Sequence, residues 1–394
     1  GPIGMVHSLY AKYFGISLTT IAAVLLIARV FDAVTDPLIG HLSDHYHART
    51  DSRKPFILCG ALLLIISTYF LFIPTDFSPM QAFDSTASVD AKVTSAYFLV
   101  SLLAFYFAWT LFEIPHLAWA SELAPNTEDK SRIYTLRALA MSLGGLLFYG
   151  VPYLPIFDSH DITPQTLQWT LLIATVLMLP TLFWSIKNVP NNQKEPSHNL
   201  VNHVHKKTES TLKLLNILFA NKPFLLFIMA VLLMTTGMMM VNTTLFFLVD
   251  AYLGLGNQYA LLYVISLPVS MLSLGLWHQI VIFIDKKIAW LLCVFLFSGS
   301  ALGFAQFNPG AHNLIPLVII MIIYNSTAVG MWALAPSLLS DIIDYDTLRS
   351  GRDRAATYFS FYTLTYKTTI AVGGALALAL AGWFGFDAAA SSHS

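Results

Sequence analysis

Apolar runs long enough to cross a bilayer recur from one end of this chain to the other, separated by short polar breaks. A spanning helix needs about 20 mainly apolar residues. By that measure complete spans are predicted at 17–43, 56–74, 93–119, 133–155, 167–187, 222–249, 258–283, 288–307, 312–337 and 355–383. Residues 1–14 read as the outer half of a further span, so the chain is expected to begin inside its first helix. It ends in GFDAAASSHS, with a last span expected to be absent. The longest polar stretch, beginning at Asn188, divides the runs into two groups. The predicted organisation is a helical half over 1–188, a linker over 189–221 and a second helical half over 222–394. With the missing ends counted, that is an all-α polytopic membrane protein of two six-helix halves.

Composition agrees. Hydrophobic residues make up 56% of the chain and charged residues 11%, against about 25% charged in a soluble domain. The basic residues alternate by loop. Seventeen of the 21 Lys and Arg fall in one set of loops (Arg49 to Lys54, Lys130 to Arg137, Lys187 to Lys222, Lys286 and Lys287, Arg349 to Arg354). Only Lys12 and Lys92 lie in the opposite set. The positive-inside rule places the rich set, and with it the central linker, in the cytoplasm. The net charge of −1 leaves no basic footprint for nucleic acid. Cys59 and Cys293 sit in separate apolar runs, so neither a disulfide nor a redox motif is expected. The first residues lack a basic leader and a cleavage site, and no signal peptide is read there.

Against this background five charges stand out, because they lie inside predicted spans: Arg29, Asp32, Asp36, Glu113 and Lys367. Each costs about 2.5–3.5 kcal/mol near the bilayer centre, or roughly 12–17 kcal/mol together before pairing. Charges retained at that cost usually line an ion or substrate path. In ARVFDAVTDPLIG, Arg29, Asp32 and Asp36 share one helical face. At 1.5 Å per residue Asp36 lies about 28 Å below Ser17, and Glu113 about as far below Val93 on a helix running the same way. Two carboxylates at matched depth can share one cation, with Thr110, one turn before Glu113, adding a neutral oxygen. The same carboxylates can instead take a proton. The plainer reading of Arg29 and Asp32 is a structural buried ion pair. The three acids outnumber the two deep bases by one, so a single monovalent cation would neutralise the group, unless Arg137 also faces it.

Lys367 lies about 18 Å into its span, too deep for easy snorkelling, and is expected to face the acidic cluster. Tyr358, Phe361, Tyr362 and Tyr366 around it, with Tyr324 and Trp332, suit stacking on a sugar ring, although helical aromatics more often simply pack. GHLSD-x8-RKP, with Gly40, Asp44 and Arg53, is read as a short cytoplasmic loop whose ion pairs form in one conformation and break in another. The segment SDIIDYDTLRSGRDR, with Asp341, Asp344, Asp346, Arg349, Arg352 and Arg354, is expected to do the same in the second half. DPLIGHLSDHYHARTDSRKP has a degraded counterpart in WHQIVIFIDKK, a trace of an internal repeat of the kind secondary transporters use. Histidines 45, 47, 198, 203 and 205 are read as solvated loop residues, so no metal is assigned beyond a coupling cation. No P-loop, nucleophile elbow or zinc-protease helix occurs, which leaves no site for ATP or for enzymatic chemistry.

LLIARVFDAVTDPLIGHLSD, FEIPHLAWASELAPNTEDKSRIYTLR and SDIIDYDTLRSGRDRAATYFSFYTLTYK resemble the glycoside–pentoside–hexuronide:cation symporter family, a branch of the major facilitator superfamily, and the resemblance covers nearly the whole chain. It implies a major facilitator fold and cation binding at Asp32 and Asp36. It also implies an acidic position near both cation and sugar at Glu113, with Thr110, and basic positions lining a sugar cavity at Arg137 and Lys367. Leu117 stands where a sugar-packing Trp is found in melibiose permease. The implied activity is symport of a sugar-like solute with Na⁺ or H⁺, without a cofactor, by a monomer in the inner (plasma) membrane. A lysolipid carrier of the same fold and a non-transporting membrane sensor are the alternatives.

Overall fold

The computed structural model describes residues 18–74, 94–124, 126–157, 163–191, 220–255, 259–308 and 314–383, together with Tyr10, Phe14, Ile16 and Leu218. The described residues form ten long helices and no strand: α1 (Leu18–Thr50), α2 (Lys54–Phe72), α3 (Ser95–Glu122), α4 (Thr127–Gly150), α5 (Pro164–Asn188), α6 (Lys222–Phe247), α7 (Tyr259–Phe283), α8 (Lys286–Phe304), α9 (Leu314–Ser350) and α10 (Ala355–Trp383). Each corresponds to one predicted span. Seven of them are long and apolar enough to cross a membrane. Helix α1 is not among the seven. Apart from Tyr10 and Phe14, the partial helix expected over 1–14, with most of the linker expected over 189–221 and the tail after Trp383, lies outside the described residues.

Two helices overrun their predicted ends. Asp44 lies past the predicted end at residue 43 yet belongs to the body of α1, and Asp341, Asp344 and Asp346 belong to the body of α9. The loops expected there shrink to residues 51–53 and 351–354. The reason is local. Neither polar stretch contains a breaker until a residue adopts the left-handed conformation, Asp51 at φ 52 and Gly351 at φ 67. Asp51 N–H then donates to His47 carbonyl at 2.8 Å, and Gly351 N–H to Thr347 carbonyl at 2.9 Å. This is how helices commonly terminate, and a polar sequence alone does not end one.

The chain divides into two compact units, residues 1–123 with 143–193 and residues 124–142 with 194–394. In the first, α2 packs along α3, with α1 also against α3 and α5 against α2. Its core gathers Ala28, Leu71, Phe98, Leu102, Phe105 and Phe148. The outer end of α2 is capped by hydroxyls: Tyr97 donates to the Phe70 carbonyl at 2.7 Å and Tyr10 to the Leu71 carbonyl at 2.8 Å. These satisfy carbonyls that a helix end otherwise leaves open, a stringent need where no water is at hand. In the second unit α6 packs on α10, while α7 and α8 both pack on α9. Its helices are also tied by polar pairs: Asn325 to Ser266 at 2.9 Å, Thr235 to Thr369 at 2.7 Å and Tyr324 to Asn242 at 2.9 Å. Small polar contacts of this kind hold helices together where lipid removes the hydrophobic drive.

The tightest crossing in the first unit is at Gly60, where an added Cβ would lie 2.5 Å from the Phe112 nitrogen and 2.7 Å from the Leu111 carbonyl carbon. Backbone cannot yield as a side-chain tip can. Gly60→Ala should therefore destabilise by about 1–3 kcal/mol. Gly144→Ala, on a helix surface with nothing within 4 Å, should be neutral or slightly stabilising. Thermal unfolding of the two variants in detergent checks this, and equal melting temperatures would refute the packing argument.

Candidate cation site and gate

Helix α1 has two faces. Leu26, Val30 and Val34, one turn apart, are 68%, 64% and 66% exposed, a face suited to lipid. On the other side the Asp32 and Asp36 side chains are completely buried. Burying two carboxylates requires partners; α1 itself supplies Arg29, and one stripe of α3 supplies the rest. Arg29 Nη1 lies 3.1 Å from Asp32 Oδ2, and its guanidinium sits over the Tyr106 ring, 4.4 Å from the centroid. Tyr106 stacks in turn on Trp109, with centroids 6.4 Å apart and planes 12° from parallel. One turn below Tyr106, the Thr110 hydroxyl donates to Asp36 Oδ1 at 2.7 Å.

The structure thus joins Asp36 to Thr110 and pairs Arg29 with Asp32. Glu113, one turn beyond Thr110 on α3, is half-buried. The remaining solute candidates, Arg137, Tyr362 and Lys367, belong to the second unit. Arg137 is half-buried on α4, and Lys367 is 2% exposed on α10. Tyr362 is buried with its ring 6.0 Å from that of Phe227. Several of the aromatics near Lys367 are taken up by packing. Tyr358 accepts a hydrogen bond from Asn221 at 2.9 Å and meets Phe224 edge-on. Tyr366 meets Trp332 edge-on at 4.5 Å, and Tyr324 packs on Phe297 at 4.7 Å.

Below Asp36, α1 carries Gly40, which is buried, and then Ser43 and Asp44. The Arg53 side chain is fully buried at the head of α2 and reaches three acceptors. Its Nη1 donates to Ser43 Oγ at 2.9 Å, its Nη2 to Asp44 Oδ1 at 2.8 Å, and its Nε to Glu122 Oε1 at 2.8 Å. His47 Nε2 lies 3.6 Å from the other Glu122 oxygen. The pairing of Asp44 with Arg53 is the one expected from sequence. Glu122, Ser43 and His47 were not anticipated. A signal for Glu122 did exist: an acid closing an apolar span, in Ser-Glu at 121–122 as in Ser-Asp at 340–341.

That parallel is structural. Lys286, the first residue of α8, donates to Asp341 Oδ2 at 2.8 Å and to the Ser337 carbonyl at 3.1 Å. In both units a base at the start of one helix is held by an acid on its neighbour. The expected pairing within SDIIDYDTLRSGRDR needs correction. Asp341 pairs with Lys286, read from sequence as part of the repeat counterpart WHQIVIFIDKK, and Asp344 with Lys130 of α4, read only as a marker of topology. Within the segment, Arg354 pairs with Asp346 at 2.9 Å. Arg352 is half-buried and Arg349 exposed. Helical continuation of α9 accounts for this, because it turns successive acids toward different neighbours.

Bundled apolar helices with ion pairs at their ends and charge in their middles define a polytopic membrane transporter rather than an enzyme. The family described as MFS/sugar transport protein matches residues 5–394, and the chain belongs to it. The chain shares the fold of the proton:xylose symporter XylE, at TM-score 0.56 and 16% identity over 97% of this chain and 91% of that one. It is similarly related to the E. coli fucose:proton symporter FucP, at TM-score 0.52 and 12% identity over 95% and 94%. Among relatives by sequence, the putative glycoside/cation symporter YagG of Escherichia coli is 23% identical over 97% of this chain and 78% of its own length. The glucuronide carrier protein homolog of E. coli is 25% identical over 97% and 79%, and an uncharacterized symporter of Synechocystis 23% over 91% and 78%. The expected major facilitator fold is therefore the observed one.

Removing a charge strands whatever buried partner it leaves behind, most severely where two carboxylates share one base. Arg53→Ala should cost about 3–5 kcal/mol, since it leaves Asp44 and Glu122 buried against each other. Asp341→Asn also leaves the Lys286 ammonium buried, but the Asn oxygen and the Ser337 carbonyl still accept from it, so it should cost less, about 1–3 kcal/mol. Melting temperatures of the two purified variants separate these cases; similar values would contradict the burial argument.

Proposed function

We propose that the chain is a secondary active symporter that couples a monovalent cation, Na⁺ or H⁺, to uptake of a sugar or glycoside-like solute by alternating access. The observation that carries this reading is the complete burial of Asp32 and Asp36 on one face of α1, with Thr110 of α3 donating to Asp36. Two structural carboxylates would be an expensive way to pack two helices in lipid. Asp32 is balanced by Arg29. At Asp36 a neutral hydroxyl supplies a hydrogen bond and no charge. A hydroxyl has one donor and two acceptor lone pairs. When a cation arrives, the Thr110 O–H can rotate and present its oxygen, and Glu113 can complete the set. If a proton is the coupling ion, Asp36 takes it and the hydroxyl accepts from the acid.

Relatives named as glycoside/cation symporter and glucuronide carrier homolog support the solute class. In this reading Arg29, Glu113, Arg137, Tyr362 and Lys367 line the solute path. A solute hydroxyl would be held by Glu113 and by the two bases, while Tyr362 offers a ring edge. The pairs at Arg53 and at Asp341, Asp344 and Asp346 close the cytoplasmic side and separate as it opens. The protein would work as a monomer in the inner membrane, its linker cytoplasmic.

The test is uptake of a panel of glycosides, pentoses and uronates into proteoliposomes under an imposed Na⁺ or pH gradient. Gradient-driven accumulation should fall to background in Asp32→Asn and Asp36→Asn. Thr110→Val should weaken apparent cation affinity roughly tenfold, the worth of one oxygen contact. Normal accumulation in both Asn variants would sink the cation-site assignment.

A further inference from the structure

The turn that carries Arg53 also holds the place where the chain leaves α5 for the central linker. Helix α5 stops because residue 190 is proline: Val189 before it is extended, at φ −81 and ψ 129. The last turn of α5 presents carbonyls, and the negative end of its dipole, to its surroundings. Lys54 answers both, donating its ammonium to the Ile186 carbonyl at 2.8 Å. The Trp119 indole N–H donates to the Pro190 carbonyl at 3.2 Å, and the Ser52 hydroxyl reaches Asn191 Oδ1 at 3.4 Å. The Lys54 ammonium also lies 5.7 Å from the centre of the Trp119 ring.

The residues that grip the linker's start are neighbours of those that form the buried ion cluster. Lys54 follows Arg53 directly, and Pro55 stiffens the backbone after them. Trp119 lies three residues before Glu122, one turn along α3. We infer that Lys54 and Trp119 are positioning residues that couple the Arg53–Asp44–Glu122 cluster to the start of the central linker. Displacing Arg53 from Asp44 must carry Lys54 with it and loosen its hold on Ile186. Restraining residues 186–191 must, conversely, favour the closed cluster. The inference rests on the gate assigned to Arg53 above, but its primary test does not require transport.

Hydrogen exchange of the purified transporter in nanodiscs reads the coupling directly. Lys54→Ala should speed exchange roughly tenfold in residues 185–191, the effect of losing one charge-assisted hydrogen bond. It should also speed exchange in residues 43–57. Glu122→Gln should act reciprocally on 185–191. Lys54→Arg, which keeps the donor, should restore protection, and Trp119→Phe, which keeps the ring, should show an intermediate effect. If Lys54→Ala moves only 185–191, or Glu122→Gln only its own cluster, Lys54 merely caps α5 and the inference fails. Uptake by the same variants reports separately on the gate: with coupling present, Lys54→Ala changes Vmax at constant KM and Lys54→Arg reverts it. If exchange is coupled while uptake is unchanged in all of them, the gate assignment is what fails.

Discussion

The constraint behind this structure is that a charge placed among apolar helices must be met by a partner, on its own helix as Arg29 meets Asp32 or on a neighbour as Thr110 meets Asp36. Asp32 and Asp36 could not be buried on α1 alone. The stripe of α3 that carries Tyr106 and, one turn on, Trp109 and Thr110 gives Arg29 an aromatic face and Asp36 a hydroxyl. The pairing orients α1 about its axis, so that Leu26, Val30 and Val34 are left outward. Hydrophobicity alone cannot do this, since most of α1 would be equally content facing lipid on any side.

The same logic governs the helix ends, with a different balance of charge. Arg53 is one buried guanidinium between two buried carboxylates, and its planar fork suits three acceptors in fixed directions. Lys286 and Lys130 are buried ammoniums whose acids, Asp341 and Asp344, are partly exposed. Each lysine also leans on a backbone carbonyl of α9, Ser337 or Ser340. A cluster sealed from water is sensitive to the loss of any member, whereas a half-exposed pair can exchange a protein partner for water. The two units therefore repeat one arrangement with unequal stiffness, the first being the more tightly held.

Connections in the first unit extend that stiffness. The turn between α1 and α2 is three residues long, ends a helix through a left-handed Asp51 and is followed by Lys54 and Pro55. It has little freedom of its own, so what Arg53 binds and what Lys54 binds are mechanically one matter. A short turn of this kind is a better transmitter than a long loop, because it has few internal torsions in which to absorb a displacement.

Much of this was legible in the chain itself. The ten helices follow from apolar length, since in lipid a backbone can satisfy its hydrogen bonds only by coiling or closing into a barrel. The shared face of Arg29, Asp32 and Asp36, and the proximity of Thr110 to the acids, follow from helical spacing and depth. The pairing of Asp44 with Arg53 was readable because the two flank one short turn. The partners contributed by distant segments were not readable: Glu122 to Arg53, Lys286 to Asp341, and Lys130 to Asp344. Nor was the extension of α1 and α9 beyond their apolar stretches, which ends only where a residue turns left-handed. A sequence determines which residues can bear a charge in a membrane and on which face of their own helix. Only tertiary packing decides which helix meets that face, because pairing depends on rotation and crossing between helices, and neither is encoded within a single span.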